Sequence, residues 1–165
     1  MHQEQQPPRP APDYLDLEFD QTRRILHIGF KSRIHPTTKE QLDRKFAVLG
    51  EILGPYTKSG RVYLIINMSN VIFEPELKTA YVANAQAIQD KYIMPDGIAR
   101  YGFQITRITV RQGYAEQSGE DPHIFNSREE AFAYIEALIE RHQSAGIPPT
   151  AVTMQAGSAA RLFPR

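Results

Sequence analysis

The acidic and histidine side chains are the residues of this chain whose types could support bond-making chemistry. Asp16, Glu18 and Asp20 alternate along one segment, so they would share one face of a strand, where neighbouring carboxylates can act as general acid and base. Alternation with apolar residues is also typical of the solvated side of an amphipathic strand. We favour this second interpretation.

The five histidines are isolated from one another in the sequence, at His2, His27, His35, His123 and His142. A meeting of His35 and His123 with a carboxylate would make a metal or catalytic site, but no local motif supports one, and His27 is expected to face solvent or a neighbouring strand. No H-E-x-x-H pair, glycine-rich phosphate loop or G-x-S-x-G elbow is present. The sequence therefore predicts a protein that is not an enzyme, with no cofactor and no metal.

Composition narrows the choice of partner. The 165 residues contain 19 Lys plus Arg and 19 Asp plus Glu, which argues against nucleic acid as a partner because phosphate binding normally requires a basic excess. An anion-binding surface would form if the basic residues near the first hairpin met those of the later strand, although scattered solvation is the interpretation we favour. These residues are Arg23, Arg24, Lys31 and Arg33, and Arg100, Arg107 and Arg111. No cysteine is present, which excludes disulfides, thiolate nucleophiles and cysteine-ligated zinc. With neither a signal peptide nor an apolar run long enough to span a bilayer, we expect a cytoplasmic protein without membrane insertion.

Hydrophobic periodicity predicts the elements that would position these residues. Strands are predicted at 15–19 and 26–30, followed by a helix capped at Thr37 or Thr38 and stopped by Gly54-Pro55. The apolar run at 62–66 predicts a central strand covered on both faces. Pro75 is predicted to begin a second helix, whose inner stripe comprises Leu77, Tyr81, Ala85, Ile88 and Tyr92.

The second half of the chain is predicted to begin with a strand. Phe103, Ile105, Ile108 and Val110 would form it, with a bulge near 106–107. A polar loop would follow at 113–121 and a brief edge strand at 123–125. The last helix is capped by Ser127, with Glu130 three residues further on.

The fold predicted from these elements is a single α/β domain with a mixed β-sheet of four to five strands and three helices, in the order β-β-α-β-α-β-(β)-α. Residues 1–12 are rich in Pro and Gln and predict a disordered arm, and residues 144–165 predict a flexible tail. The folded domain would span residues 13–143.

This order of elements, together with the sequence of residues 62–71 (VYLIINMSNV) and the capped helix pattern at 124–135, resembles the STAS domains, the SpoIIAA-like fold of bacterial anti-sigma-factor antagonists. The resemblance covers roughly residues 14–141 and implies a regulatory module. Members of that family carry a phosphorylatable Ser or Thr at the helix that follows the buried strand. Here Asn67 stands where the family has an acidic residue, and Glu74-Pro75-Glu76-Leu77-Lys78 stands where it has its phosphoacceptor.

The resemblance implies a module that binds a protein partner through the strand-to-helix loop and the second helix, without the phosphorylation switch. The residues expected to bind the partner are Asn67, Ser69, Asn70, Glu74, Glu76 and Lys78. The partner would be a kinase, an anti-sigma-type factor, a larger complex or a second copy of the chain. The alternative is a small-molecule or lipid-binding module of the Sec14-like kind, which would require an apolar cavity of roughly 300 Å³ or more.

Overall fold

The computed structural model describes residues 12–149, and a five-stranded sheet lies at its centre. The strands are adjacent in the order in which they occur along the chain. They are β1 (Leu15–Asp20), β2 (Ile25–Phe30), β3 (Val62–Asn67), β4 (Ile93–Tyr101) and β5 (Ile124–Phe125). The helices are α1 (Lys39–Tyr56), α2 (Lys78–Tyr92), α3 (Gln104–Gln117) and α4 (Arg128–Ser144), and a 3₁₀ turn (Pro75–Leu77) leads into α2.

The sheet is mixed, as its sequence pattern predicts. β1 and β2 form the expected antiparallel hairpin, in which Leu17 lies opposite Ile28. β2, β3, β4 and β5 are all parallel to one another. Parallel neighbours require crossover connections, and the helices supply them. The predicted α/β class with a mixed sheet is therefore confirmed.

Two apolar layers cover the two faces of the sheet. Leu64 and Ile66 of β3 pack with α1 and α2 on one face, while Tyr63 and Ile65 pack with α4 on the other. All four side chains are buried, which explains why residues 62–66 read as an unbroken apolar run instead of an alternating one. α3 packs against α2 at Gly113, where a Cβ atom would come within 3.1 Å of Val82.

The predicted helix caps are present at both ends of the described chain. The Thr38 side chain accepts from the Gln41 N–H at 3.2 Å, and the Ser127 hydroxyl accepts from the Glu130 N–H at the same distance. The Glu130 carboxylate in turn accepts from the Asn126 N–H at 2.9 Å. α1 continues through Gly54-Pro55 to Tyr56, beyond the predicted stop, because the backbone N–H and hydroxyl of the following residue close its last turn.

The strand predicted through Phe103, Ile105, Ile108 and Val110 is wrong, as is most of the loop predicted at 113–121. This segment is α3, which brings the number of helices to four. Its buried residues recur at three- and four-residue intervals: Thr106, Thr109, Val110, Gly113 and Tyr114. This is helical spacing, and the alternation of large apolar residues around 103–105 concealed it.

The true fourth strand was missed because polar and turn residues interrupt its apolar run. Pro95, Asp96 and Gly97 lie inside β4, and Asp96 has a φ of 57°. The pairing register with β3 shifts at this point, between Val62 and Leu64. A shift of this kind accommodates a bulge, so the strand resumes at Ile98 and continues buried to Tyr101.

Of the arm predicted at 1–12, the structure describes Pro12, and of the tail predicted at 144–165 it describes residues 144–149. The rest of both segments lies outside the described residues. α4 includes Ser144, the first residue of that predicted tail. Across residues 12–149, no helix is both long and apolar enough to cross a bilayer.

Two histidines lie between α4 and the sheet, His27 on β2 and His142 on α4 itself. The His27 ring lies edge-on to Phe132 at 5.4 Å between centroids, and its Nε2 is 2.8 Å from the Tyr101 hydroxyl. His27 is thus half-buried and contacts Tyr101 of β4 across the sheet, which agrees with the cross-strand role expected for it and not with the solvent-facing one. His142 is buried, with Nδ1 2.8 Å from the Tyr63 hydroxyl. Burial lowers the pKa of both imidazoles, an effect that Arg128 strengthens at His27 and that the carboxylates of Glu18 and Asp16 oppose there.

Mild acid should therefore loosen α4. Because both folded-state pKa values lie below the unfolded value of about 6.5, the unfolded chain binds more protons, and stability is lost as the pH falls through 6.5 and below. We expect the free energy of unfolding, measured by urea titration, to decrease between pH 7.5 and 5.5. The decrease should be smaller in His142→Gln than in the native chain. Equal pH dependence in the two proteins would contradict this assignment.

Candidate protein-binding surface

The carboxyl ends of the parallel strands β3 and β4 meet at one edge of the sheet, and the loops that leave them are in contact. The Met68 N–H donates to the Tyr101 carbonyl at 2.7 Å. At Gly102, a Cβ atom would lie 2.8 Å from the backbone of residues 68–69, and φ is 152°. A side chain is therefore excluded at this position, and the two loops form one continuous surface.

Two of the residues predicted to bind the partner also hold the loop after β3 in place. The Asn67 side chain accepts from the Ser69 N–H at 3.0 Å, a local turn that asparagine commonly makes. Asn70 Nδ2 donates to the Phe30 carbonyl at the end of β2. Ser69 itself is half-buried in the turn. These side chains fix the shape of the surface, and Asn70 is the exposed one among them.

The charged residues predicted for the site have different surroundings. Glu74 accepts from His35 Nε2 at 2.9 Å, and Lys78 Nζ lies 2.8 Å from the Glu116 carboxylate of α3. Glu76 is exposed in the 3₁₀ turn and has no ion-pair partner within residues 12–149. Glu76 is thus the predicted carboxylate best placed to contact another molecule.

The sequence prediction missed an apolar patch beside this loop. Phe103, Ile105 and Ile108, at the start of α3, are 57%, 71% and 45% exposed. We call these three residues the α3 patch. Within residues 12–149, the other large hydrophobic residue that is comparably exposed is Ile147, after α4. The strand predicted for this segment would have buried alternate residues, so the prediction gave no indication that Phe103, Ile105 and Ile108 are exposed together.

A hydroxyl fixes the α3 patch relative to the loop. Thr106 is buried, and its Oγ1 donates to the Val71 carbonyl at 2.9 Å. Arg107 follows on the same helix, and its buried Nε has no acceptor in the described part of the chain. The apolar patch, an arginine next to it and the acidic loop therefore occupy fixed relative positions.

The candidates for chemistry do not come together. His35 contacts Glu74, whereas His123 stacks on Tyr134 at 4.6 Å and lies 3.7 Å from Asp121. Over residues 12–149, no three His, Asp or Glu side chains are grouped closely enough to hold a metal ion.

The acidic side of β1 engages separate cations instead of forming a joint site. Asp16 pairs with Lys31 at 3.8 Å, Glu18 with Arg128 at 3.9 Å and Asp20 with Arg23 at 2.6 Å. The Arg23 backbone N–H, and then its guanidinium, hold the pKa of Asp20 below its usual value. The interpretation of this face as the solvated side of a strand agrees with these exposed pairs.

The three later arginines do not form the anion-binding surface considered for them. Arg100 is 2% exposed, so scattered solvation is wrong for this residue. Arg111 donates to the Ile124 carbonyl at 3.0 Å. Arg100 instead lines an apolar cavity of about 100 Å³ between α1, α2 and the sheet. This volume is well below the roughly 300 Å³ expected of a lipid-binding module.

A solved structure similar to this chain is that of an uncharacterized protein of the DUF3478 family from Shewanella loihica PV-4, described as having a SpoIIAA-like fold. The sequences are 14% identical, the TM-score is 0.44, and the match covers 73% of this chain and 91% of the other. The similarity carries no information about partners or activity. No protein-family model and no curated protein matches the chain.

Removing the Thr106 hydroxyl should detach the loop from α3. In Thr106→Val the buried Val71 carbonyl loses its side-chain donor, which we expect to cost about 1–3 kcal/mol of folding free energy. Amide hydrogen exchange should also accelerate at residues 69–73. Thr109→Val is the matched control, because its hydroxyl donates within α3 to the Ile105 carbonyl and makes no contact with the loop. Equal exchange rates in the two variants would show that the Thr106 bond does not hold the loop.

Proposed function

We propose that this chain is a non-enzymatic regulatory or scaffolding module that binds a protein partner through the α3 patch and the neighbouring loop after β3. The observation that carries the proposal is the exposure of Phe103, Ile105 and Ile108 next to the loop predicted for binding. Contiguous exposed apolar residues rimmed by polar ones are typical of interaction sites. The phosphorylation switch of the family that the sequence resembles plays no part in the proposal.

The surface has the composition of a protein interface. Its centre would be the α3 patch, and its rim would be the polar residues Asn70, Glu76 and Arg107. Burying a large aliphatic or aromatic side chain contributes about 1.5–3 kcal/mol, so three such residues could supply most of a moderate affinity. Polar rims contribute less to affinity and more to orientation and specificity.

The charges beside the patch favour a protein over a membrane surface. Glu74 and Glu76 lie in the segment that follows β3, and anionic lipid headgroups would repel their carboxylates. Arg107, on α3, would favour acidic groups. A partner with an apolar centre and both signs of charge at its rim would match this surface, and a second copy of the chain is one such partner.

Introducing a charge into the α3 patch should abolish partner capture. We expect Ile105→Asp to weaken binding at least tenfold, because the carboxylate would have to be desolvated against an apolar partner surface. The measurement is affinity capture from an extract of the source organism, with quantitative mass spectrometry and with analytical ultracentrifugation to detect self-association. Ile147→Asp is the matched control, since Ile147 is 41% exposed but follows α4.

Retention of the same partners by Ile105→Asp would contradict the proposal. So would equal losses in Ile105→Asp and Ile147→Asp, because the effect would then not depend on the α3 patch. If the native chain sediments with anionic vesicles and Ile105→Asp does not, the α3 patch binds a membrane and not a protein, which would also contradict the proposal.

Reversing the charge of Glu76 tests the loop separately. We expect Glu76→Lys to reduce partner affinity by about threefold to tenfold, mainly through slower association, as is usual for a charge at the rim of an interface. The matched control is Glu51→Lys, an equivalent charge reversal at an exposed position of α1. Unchanged association kinetics in Glu76→Lys would remove the loop from the binding surface and leave the α3 patch alone.

A further inference from the structure

The cavity between α1, α2 and the sheet has walls that are almost entirely apolar. Its volume is about 100 Å³. Phe46 and Leu49 of α1 line it and are partly exposed, and the exposed Lys45 stands beside them with Nζ 5.8 Å from the centre of the Tyr14 ring. The cavity is therefore bounded by α1 on the side nearest to solvent.

The volume sets the class of molecule that could enter. Apolar cavities of roughly 150 Å³ stay dry and accept a molecule the size of benzene, whereas membrane lipids need several times that space. The cavity of about 100 Å³ is smaller than one that holds benzene, so a short alkyl chain, which is narrower than a ring, is the apolar body that suits it.

Arg100 places a cation on the inner wall of this cavity. The guanidinium is 2% exposed, and its hydrogen-bond acceptors are neutral: the Tyr81 hydroxyl at 3.0 Å, the Tyr114 hydroxyl at 2.9 Å and the Pro122 carbonyl. Burial raises the pKa of Tyr114, so its phenol stays protonated at neutral pH. Within residues 12–149 no carboxylate pairs with Arg100.

A buried cation without an anion is costly. Removing an ion from water costs several kcal/mol even after relaxation, and buried charges are normally paired. A guanidinium has five N–H donors, and the three acceptors above account for three of them. The positive charge of Arg100, which lines the cavity, thus has no anionic partner within residues 12–149.

Aromatic rings connect the cation to the apolar space. Tyr81, whose hydroxyl accepts from Arg100 Nε, stacks on Phe73 with ring centres 4.8 Å apart and meets Phe46 edge-on at 5.5 Å. All three rings line the cavity. A molecule lying against these rings would therefore have its polar end near Arg100.

We propose that the cavity binds a short-chain carboxylic acid, with its carboxylate on Arg100 and its alkyl chain between α1 and α2. Carboxylates accept paired N–H donors of arginine at short distances, which makes this pairing strong and directional. The site is separate from the α3 patch, so either proposal can fail without the other.

The experiment compares hexanoate with hexan-1-ol as probes of the full-length chain, using ¹H–¹⁵N NMR titration. We expect hexanoate to shift the amides of residues around Phe73, Tyr81 and Arg100 and to bind at least tenfold more tightly than the alcohol. Absence of shifts at the cavity, or equal affinities for the two probes, would overturn the proposal.

Two variants localise the effect. Arg100→Met keeps an apolar side chain of similar length and should make the affinities for hexanoate and hexan-1-ol equal. Leu49→Phe should fill the space beside α1 and reduce hexanoate affinity at least tenfold, while leaving partner capture by the α3 patch intact. If Arg100→Met does not fold, the probe comparison and Leu49→Phe still decide the question. Unchanged hexanoate binding in Leu49→Phe would place the acid elsewhere and overturn the proposal.

Discussion

The pairing of β3 between two parallel neighbours is the constraint on which the rest of the structure depends. β3 is hydrogen-bonded to β2 and β4, and helices cover both of its faces, so Leu64 and Ile65 are fully buried. Because the three strands run in the same direction, the chain leaves the sheet at one edge each time a strand ends. The loops after β2, β3 and β4 are therefore gathered there, as the contacts of Asn70 with Phe30 and of Met68 with Tyr101 show.

This gathering gives the surface its mixed character. The loop after β3 contributes acidic residues, while the short connection after β4 leads at once into α3 and exposes its first apolar residues. Gly102 makes the tight connection possible, because its φ of 152° and its lack of a side chain allow the chain to pass within contact distance of residue 69.

Sequence patterns predicted those parts of the fold in which one physical signal was dominant. The hairpin, β3, and the caps of α1 and α4 each follow from periodicity or from a side chain that satisfies a free N–H. β4 was missed because Pro95 to Gly97 interrupt its apolar run, and α3 was predicted as a strand because two β-branched residues on its outer face imitate one. Of the predicted partner-binding residues, Asn67 makes a local turn that asparagine favours, whereas Asn70 contacts Phe30, 40 residues away, which no local pattern reveals.

The burial of Arg100 also depends on tertiary structure. Its neighbours in sequence, Ala99 and Tyr101, face α4, so Arg100 points to the opposite side of β4, where α2 and α3 each present a tyrosine hydroxyl. Those hydroxyls come from positions 19 and 14 residues away along the chain, so the spacing of residues in the sequence does not predict that they meet Arg100. Their bonds to the guanidinium also tie β4 to both helices. Arg100 therefore stabilises the packing around the cavity and also carries the charge proposed to bind an acid. Replacing it would lower the stability of the fold whether or not an acid binds. The affinity difference between an acid and an alcohol, measured on the native chain, depends on the charge alone.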